Sequence, residues 1–263
     1  MQTDQIQKIV IIGAGRLATH LGLAFFQHGL EIVQVYNRTP EKGKKLAGRV
    51  GALYTDDLRE LILTADLYIL AVSDSILEYL STVLRLNTKL VVHTSGTMDI
   101  DVLTPISDNT GVFYPLQTFS QTGRILFRNI PLCIEANSKG SELKLMGLAE
   151  KLSQRVYPLA SDKRKVLHLG AVFANNFTNF ILAAAEEFLL SHEIPFDLLQ
   201  PLILQTTRNV KHGNLIQYQT GPAVRGDIKV LEKHRELLLD DPDYLEIYNL
   251  ITKNIIKHKT RHG

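Results

Sequence analysis

The sequence predicts an α/β fold, in which a doubly wound parallel sheet is followed by an all-helical C-terminal domain. Short apolar runs alternate with helical periodicity in the first part of the chain, which is typical of a parallel sheet covered on both faces. From Ser161 onward the pattern is helical only. We therefore predict two domains, at residues 1–160 and 161–263.

The predicted elements of the first domain follow from the period of their apolar residues. The strands are Lys8–Ile12, Glu31–Tyr36, Leu67–Val72, Lys89–His93, Val112–Pro115, Leu132–Glu135 and Arg155–Leu159. Helical periodicity covers Leu17–His28, the segment after Pro40, Asp56–Thr64 and Ser141–Ser153.

A glycine turn joins the first strand, Lys8–Ile12, to the first helix. Its pattern is Gly-x-Gly-x-x-Ala, which in this position indicates a Rossmann-like dinucleotide-binding domain. Gly13 permits the tight turn, Gly15 lets a pyrophosphate approach the backbone, and Ala18 keeps the helix close to the strand. The N–H groups at the helix start then bind the anion. The cofactor contacts predicted here are Gly13, Ala14, Gly15, Arg16, Leu17 and Ala18.

The end of the second strand predicts which cofactor binds. NAD-binding chains carry an Asp or Glu about 20 residues past the glycines, and its carboxylate binds the ribose 2′-OH. This chain has Asn37 there, followed by Arg38 and Thr39. Because a guanidinium binds phosphate through two hydrogen bonds, we predict NADP(H) and assign all three residues to it. The alternative is that Arg38 is a solvated loop side chain.

Ligands of such sheets bind beyond the carboxyl ends of the strands. We expect the backbone of Ala71, Val72 and Ser73 to contact the cofactor, whereas Asp74 is expected to cap the helix that begins near Ile76.

The next strand ends in His93-Thr94-Ser95-Gly96. We assign Thr94 to the cofactor. His93 and Ser95 are expected to hydrogen-bond a substrate carbonyl or carboxylate. Equally open is a structural role, in which His93 pairs with the backbone and Ser95 belongs to a turn.

The second domain begins with a helix, Asp162–Leu190, that has an unusual polar face. On a helical wheel His168, Asn175, Asn179 and Glu186 share this face. Solvent faces are usually rich in Lys and Glu, whereas His and Asn suit a polar cleft between domains. We expect His168 to be the acid or base and Asn175 to orient the substrate. A solvent-facing stripe is the alternative.

Further helices are predicted at Asp197–Lys211, Asp227–Leu239 and Pro242–His258. Arg225 lies between small residues in a turn-rich motif before the second of these. We expect it to bind a carboxylate or phosphate of the substrate. Alternatively, it pairs with a carboxylate of another subunit.

Composition limits the partners and the location. The net charge of +2 is too small to indicate a nucleic-acid partner. The lone cysteine, Cys133, lies in an apolar run and allows no disulfide framework. The polar segment Met1–Lys8 lacks a signal-peptide core, and the uncharged run Val166–Ala185 contains His and Asn, unlike a membrane span. We therefore predict a cytoplasmic protein with no membrane partner and no metal site.

The chain resembles the Rossmann-like proteins that carry the DUF2520 domain, a family described as NADP oxidoreductases. The resemblance covers nearly the whole chain. It is carried by the glycine turn, by His93-Thr94-Ser95-Gly96, Pro115-Leu116-Gln117-Thr118-Phe119, the helix around His168 and Asn175-Asn176, and Gly221-Pro222-Ala223-Val224-Arg225-Gly226-Asp227. Members typically have His before the Pro-Leu-Gln-Thr-Phe run, where this chain has Tyr114.

More distantly, the arrangement is similar to the superfamily of 6-phosphogluconate and β-hydroxyacid dehydrogenases, which includes pyrroline-5-carboxylate reductase and prephenate dehydrogenase. These proteins commonly dimerise through their helical domains, so the resemblance implies a homodimer. β-Hydroxyacid dehydrogenases carry a catalytic Lys just before an Asn pair. The pair matches Asn175-Asn176, but the Lys position falls on Val172. His168, one turn earlier, is the residue we expect in its place.

Three functional hypotheses follow. The first is an NADP(H)-dependent oxidoreductase that transfers a hydride between the nicotinamide and a small, anionic oxo, hydroxy or imino acid. The missing Lys at Val172 leaves open a non-catalytic NADP(H)-binding sensor or assembly protein. A deazaflavin partner in place of a small acid is a third hypothesis, supported by analogy of fold alone.

Overall fold

The computed structural model describes residues 5–119 and 125–262. Residues 1–4, part of the polar N-terminal segment considered above, lie outside this range. The described residues form two compact units that divide after Ala174. The domain boundary near residue 160 stays a prediction.

The first unit contains one eight-stranded sheet. Its strands are β1 (Lys8–Ile12), β2 (Glu31–Tyr36), β3 (Leu53–Thr55), β4 (Leu67–Leu70), β5 (Asn87–His93), β6 (Ser107–Pro115), β7 (Leu132–Ala136) and β8 (Val156–Pro158). Its helices are α1 (Arg16–Gln27), α2 (Pro40–Val50), α3 (Asp74–Val83), α4 (Lys139–Leu152) and α5 (Ser161–Ala171).

The strand order is β3-β2-β1-β4-β5-β6-β7-β8. From β1 the chain adds β2 and β3 on one side and β4 and β5 on the other, which is the doubly wound arrangement. The predicted α/β fold is therefore confirmed. The sheet is mixed rather than wholly parallel, since β7 runs antiparallel to β6. Antiparallel neighbours need no helical crossover, so the alternating sequence pattern could not reveal the reversal.

Both faces of the sheet are buried, as the continuous apolar sequence of β1 requires. Ile9 and Ile11 point into one core, which also contains residues of α1, α2 and α4. Val10 and Ile12 point into the opposite core, which contains residues of α3. Helices on both faces thus leave the strand ends as the place where a ligand can bind.

The predicted helix over Asp56–Thr64 is wrong. Only a short 3-10 turn forms there, at Leu58–Glu60. The hydroxyl of Thr55 accepts from the N–H of Asp57 (3.1 Å), and the carboxylate of Asp57 accepts from the N–H of Arg59 (2.9 Å). Such local side-chain bonds satisfy the backbone in a turn and compete with helix formation.

Helix α5 is tied to the sheet by a buried arginine. The guanidinium of Arg164 is fully buried and forms an ion pair with Glu135 on β7. It also donates to the carbonyl of Met98, in the loop after β5, and to the hydroxyl of Ser161. Because a buried charge is stable only when it is paired and hydrogen-bonded, these contacts fix where α5 begins.

The second unit is helical. It contains α6 (Thr178–Ser191), α7 (Gln200–Asn209), α8 (Pro222–Arg225), α9 (Ile228–Leu237) and α10 (Pro242–His262). A π-helical segment, Val172–Phe177, joins α5 to α6. The combined helix Ser161–Ser191 is long and apolar enough to cross a membrane, judged by its length and composition only. A core helix of a soluble protein can pass the same test.

Candidate active site

The glycine turn after β1 lies where the strand order reverses. Gly13 has φ +114°, and a Cβ there would collide with the carbonyl oxygen of Ala71, which directly follows β4. Only glycine therefore fits this position. Gly15 directly precedes α1, and a Cβ built on it meets nothing within 4 Å. Open space in front of a helix N-terminus is the geometry that admits a phosphate.

A cavity of about 490 Å³ opens beside this turn. It brings together most of the predicted cofactor contacts, namely Gly13, Ala14, Gly15, Arg16, Leu17, Asn37, Arg38, Thr39, Ala71, Val72, Ser73 and Thr94. Ala18 does not line the cavity but is buried in the core, where its small side chain lets α1 approach β1. The residues present fit a dinucleotide, because a glycine cradle, a helix N-terminus and cationic side chains meet in one place.

Several lining residues were not predicted to contact the cofactor. Tyr36 ends β2, Lys42 lies on α2, and Ile76, Tyr79 and Leu80 lie on α3. The last three are spaced i, i+3 and i+4, so they share one face of their helix. That spacing could have identified them once the wall of the cavity was assigned to α3.

Asn37 connects two turns that border the cavity. Its side-chain oxygen accepts from the N–H of Ala14 (3.1 Å), and its amide donates to the carbonyl of Thr39 (2.8 Å). The side chain therefore joins the glycine turn to the turn after β2. Arg38 is exposed and lines the cavity, where its guanidinium is available to a ligand.

Asp74 has a different role from the predicted helix cap. Helix α3 begins at Asp74 itself rather than near Ile76, and Ser73 is the capping residue by position. The carboxylate of Asp74 accepts a hydrogen bond from the hydroxyl of Thr97. Asp74 thus links the loop after β4 to the loop after β5.

His93 is fully buried at the end of β5. Its Nδ1 accepts from the N–H of Ser95 (3.1 Å), which places the ring proton on Nε2. Within the described part of the chain, Nε2 is buried without a hydrogen-bond partner. Burial, together with the positive charge of Arg164, lowers the pKa of His93 to about 4. This placement favours the structural alternative, with a neutral ring paired to the backbone.

Ser95 is also engaged by the backbone. Its hydroxyl accepts from the N–H of Thr97 (3.1 Å) and the N–H of Met98 (3.0 Å). These bonds close the turn that presents Gly96, and they support the turn role given above as its alternative.

His168 meets Tyr114 at the same edge of the sheet. The hydroxyl of Tyr114, on β6, lies 3.0 Å from Nδ1 of His168, on α5. Tyr114 is buried, whereas His168 is half-buried. Burial raises the pKa of Tyr114 to about 12, so the phenol stays protonated. The ring of His168 lies directly over Gly96, where a Cβ would come within 2.5 Å of Nδ1.

Two predicted site residues belong to the second unit. Asn175 lies in the π-helical segment and is exposed, and Arg225 is exposed at the end of α8. The helical wheel that grouped His168 with Asn175, Asn179 and Glu186 assumed 3.6 residues per turn throughout. A π-helical turn is wider than an α-helical turn. The angles that placed His168 on one face with the three later residues therefore do not hold across Val172–Phe177. Single π-helical turns within α-helices are frequent at functional sites.

Comparison with known proteins identifies the family. Residues 130–255 match the family described as a domain of unknown function, DUF2520. A proposed NADP oxidoreductase from Bacteroides fragilis has 41% identity and a TM-score of 0.89, with 97% of this chain and 100% of that chain covered. The chain belongs to the DUF2520 family. Residues 1–108 also match shikimate / quinate 5-dehydrogenase, and no curated protein matches the sequence.

Two more distant structures share the fold of this DUF2520 protein. The imine reductase from Myxococcus stipitatus in complex with NADP⁺ has 18% identity and a TM-score of 0.67, covering 97% of this chain and 95% of that chain. The 1-pyrroline-5-carboxylate reductase from Streptococcus pyogenes has 14% identity and a TM-score of 0.63, covering 95% and 98%. These two likenesses confirm the fold alone.

The buried neutral state of His93 predicts a loss of stability in acid. An unfolded histidine takes up a proton near pH 6.5, whereas the folded His93 does so only near pH 4. Stability therefore falls as the pH drops through this window. We expect His93→Asn, whose side-chain oxygen can still accept from Ser95, to remove this effect.

The measurement is denaturant unfolding at about pH 7 and about pH 4.5. Between these pH values the free energy of unfolding should fall by about 2–3 kcal/mol more in the wild type than in His93→Asn. Equal losses in the two proteins would show that His93 titrates normally.

Proposed function

We propose that this protein is an NADP(H)-dependent oxidoreductase acting on a small oxo, hydroxy or imino acid. The observation that carries the proposal is the cavity of about 490 Å³ at the reversal of strand order, with its glycine cradle and its cations. When bound there, the nicotinamide would supply or accept a hydride. The similar protein from Bacteroides fragilis supports NADP(H) as the cofactor.

The cations of the cavity support binding of the 2′-phosphate. Arg38 and Lys42 line the end of the cavity that follows β2, where an NAD-binding chain would carry a carboxylate. Thr39 adds a hydroxyl at the same turn. Two positive charges without a carboxylate favour a phosphate over a ribose hydroxyl.

The proposed proton transfer to the substrate depends on His168. Histidine is the side chain that most often transfers protons in enzymes, so His168 could give a proton to a developing alkoxide or amine and take it back in the reverse direction. Asn175 would orient the carbonyl or imine, and Arg225 would bind an anionic group of the substrate. His93 and Ser95 would act indirectly, by shaping the turn beneath His168.

We also infer a homodimer formed through the helical unit, in the cytoplasm. Large aromatic side chains of the Ser161–Ser191 helix are exposed, among them Phe173, Phe177 and Phe180. Soluble monomers rarely expose continuous apolar surface of this kind. A second copy of the chain would cover it, which needs no membrane. The single, buried cysteine fits a reducing compartment.

Removal of the Arg38 charge tests the cofactor. Arg38→Ala should weaken NADPH binding by about 10- to 100-fold, because a charged donor to phosphate contributes about 1.5–3 kcal/mol. NADH binding should change little. Nucleotide fluorescence gives both affinities, and the absence of Trp simplifies the optical background. Lys45→Ala is the matched control, because it removes one positive charge of α2 outside the cavity lining. Equal weakening of NADPH and NADH would refute the phosphate assignment.

Turnover tests the reaction. We would incubate the protein with NADPH and panels of oxo acids and cyclic imino acids, and follow nicotinamide absorbance. His168→Ala should lower kcat for any reactive compound by about 10²- to 10⁴-fold, and Asn175→Ala should raise KM or lower kcat. His192→Ala, an exposed histidine after α6, is the control. Tight NADPH binding with no turnover of either panel would instead favour the non-catalytic sensor.

A further inference from the structure

Tyr114 and His168 form a pair that the proposed reaction uses only in part. The tyrosine hydroxyl lies 3.0 Å from Nδ1 of the imidazole, and the two rings meet edge to face with centroids 6.2 Å apart. The tyrosine is buried among the side chains between the sheet and α5, whereas the imidazole is half-buried. The imidazole edge that carries Nδ1 therefore faces the protein.

Gly96 fixes the position of this pair from a third element. A Cβ at Gly96 would lie 2.5 Å from Nδ1 of His168 and 3.1 Å from Cζ of Tyr114. The backbone of the loop after β5 thus supports the imidazole ring where it meets the phenol. With Nδ1 held between Gly96 and Tyr114, Nε2 is the nitrogen left to meet a ligand.

The proton position on His168 decides whether Nε2 can work as a base. A neutral imidazole carries one proton, and the other nitrogen has the free electron pair. If Nδ1 carries the proton, Nε2 can accept one from a hydroxyl or amine. An acceptor beside Nδ1 stabilises this tautomer. Buried His93 shows the opposite arrangement, because its Nδ1 accepts from the N–H of Ser95.

We propose that Tyr114 is a positioning residue whose phenol oxygen accepts the Nδ1–H of His168 and so keeps Nε2 as the nitrogen that exchanges the substrate proton. This proposal rests on the role given to His168 under the proposed function. In the reducing direction, Nε2–H of the imidazolium would give its proton to the substrate oxygen or nitrogen, while the neighbouring carbon would receive the hydride that NADPH supplies when bound, as NADPH is itself oxidised to NADP⁺. The imidazole becomes neutral and keeps its proton on Nδ1.

The proton of Tyr114 does not move in this scheme. Burial raises the pKa of the phenol to about 12, so it remains neutral in both states of His168. Its oxygen accepts from Nδ1–H whether the imidazole is charged or neutral. The orientation of the ring is therefore the same before and after proton transfer.

The tautomer of His168 is directly measurable by nuclear magnetic resonance of the protein labelled with ¹⁵N in its histidines, without added cofactor or substrate. In the neutral imidazole of the wild type, observed in spectra recorded at alkaline pH, we expect the proton on Nδ1. Tyr114→Phe keeps the ring and removes the acceptor, so the proton should move largely to Nε2. A wild-type proton on Nε2, or a tautomer that Tyr114→Phe leaves unchanged, would overturn the proposal.

Two further variants keep the test decisive. Tyr68→Phe is the matched control, because it removes another buried hydroxyl, bonded to the carbonyl of Ile62 at 2.7 Å, away from His168. It should leave the tautomer unchanged. In Gly96→Ala the added Cβ, in the loop after β5, would collide with Nδ1 of His168. This variant should disturb the tautomer as Tyr114→Phe does. If Tyr114→Phe fails to fold, the wild-type spectrum and Gly96→Ala still decide.

Kinetics then separate this proposal from the proposed reaction. With any compound that turns over, Tyr114→Phe should lower kcat by about 10- to 100-fold and leave KM for NADPH unchanged. Because the tautomer is read without turnover, a failure of the proposed reaction appears only in the turnover assay. A normal kcat in Tyr114→Phe together with a changed tautomer would overturn the positioning role.

Discussion

The buried guanidinium of Arg164 is the interaction on which the candidate active site depends. It joins the start of α5 to Glu135 on β7 and to the backbone of Met98, so one side chain connects the helix to a strand and to the loop after β5. His168 follows four residues later, about one helical turn along the same face. Loss of one partner would leave a buried charge uncompensated, at a cost of about 3–5 kcal/mol. The strength of this anchor explains how an imidazole can be held over Gly96.

The exposed positive charges of the first unit that matter for the site lie at the cofactor cavity. Arg38 and Lys42 stand exposed at the cofactor cavity, where a phosphate would be neutralised. Two titratable groups of the first unit behave differently from these exposed cations. His93 is uncharged because burial lowers its pKa to about 4, and Arg164 is compensated by Glu135.

Local sequence patterns predicted the strands around β1, the glycine turn and the end of β2, because each depends on neighbouring residues. They also located β7, predicted at Leu132–Glu135, but not its reversed direction, and they missed the short strand β3. The pairing of Tyr114 with His168 joins residues 54 positions apart, and no local pattern encodes such a contact. Gly96 looked like an ordinary turn glycine, although its missing Cβ is what admits the imidazole. The π-helical turn at Val172–Phe177 likewise escaped a wheel that assumes regular α-helix.

A crystal structure of the protein with NADP⁺ tests most directly whether the cofactor cavity and the Tyr114–His168 pair belong to one site. We expect the 2′-phosphate to lie against Arg38 and Thr39, and the nicotinamide ring to lie at the loop after β5 with Nε2 of His168 facing its reactive side. A nicotinamide directed away from His168, or a 2′-phosphate bound away from Arg38, would contradict it.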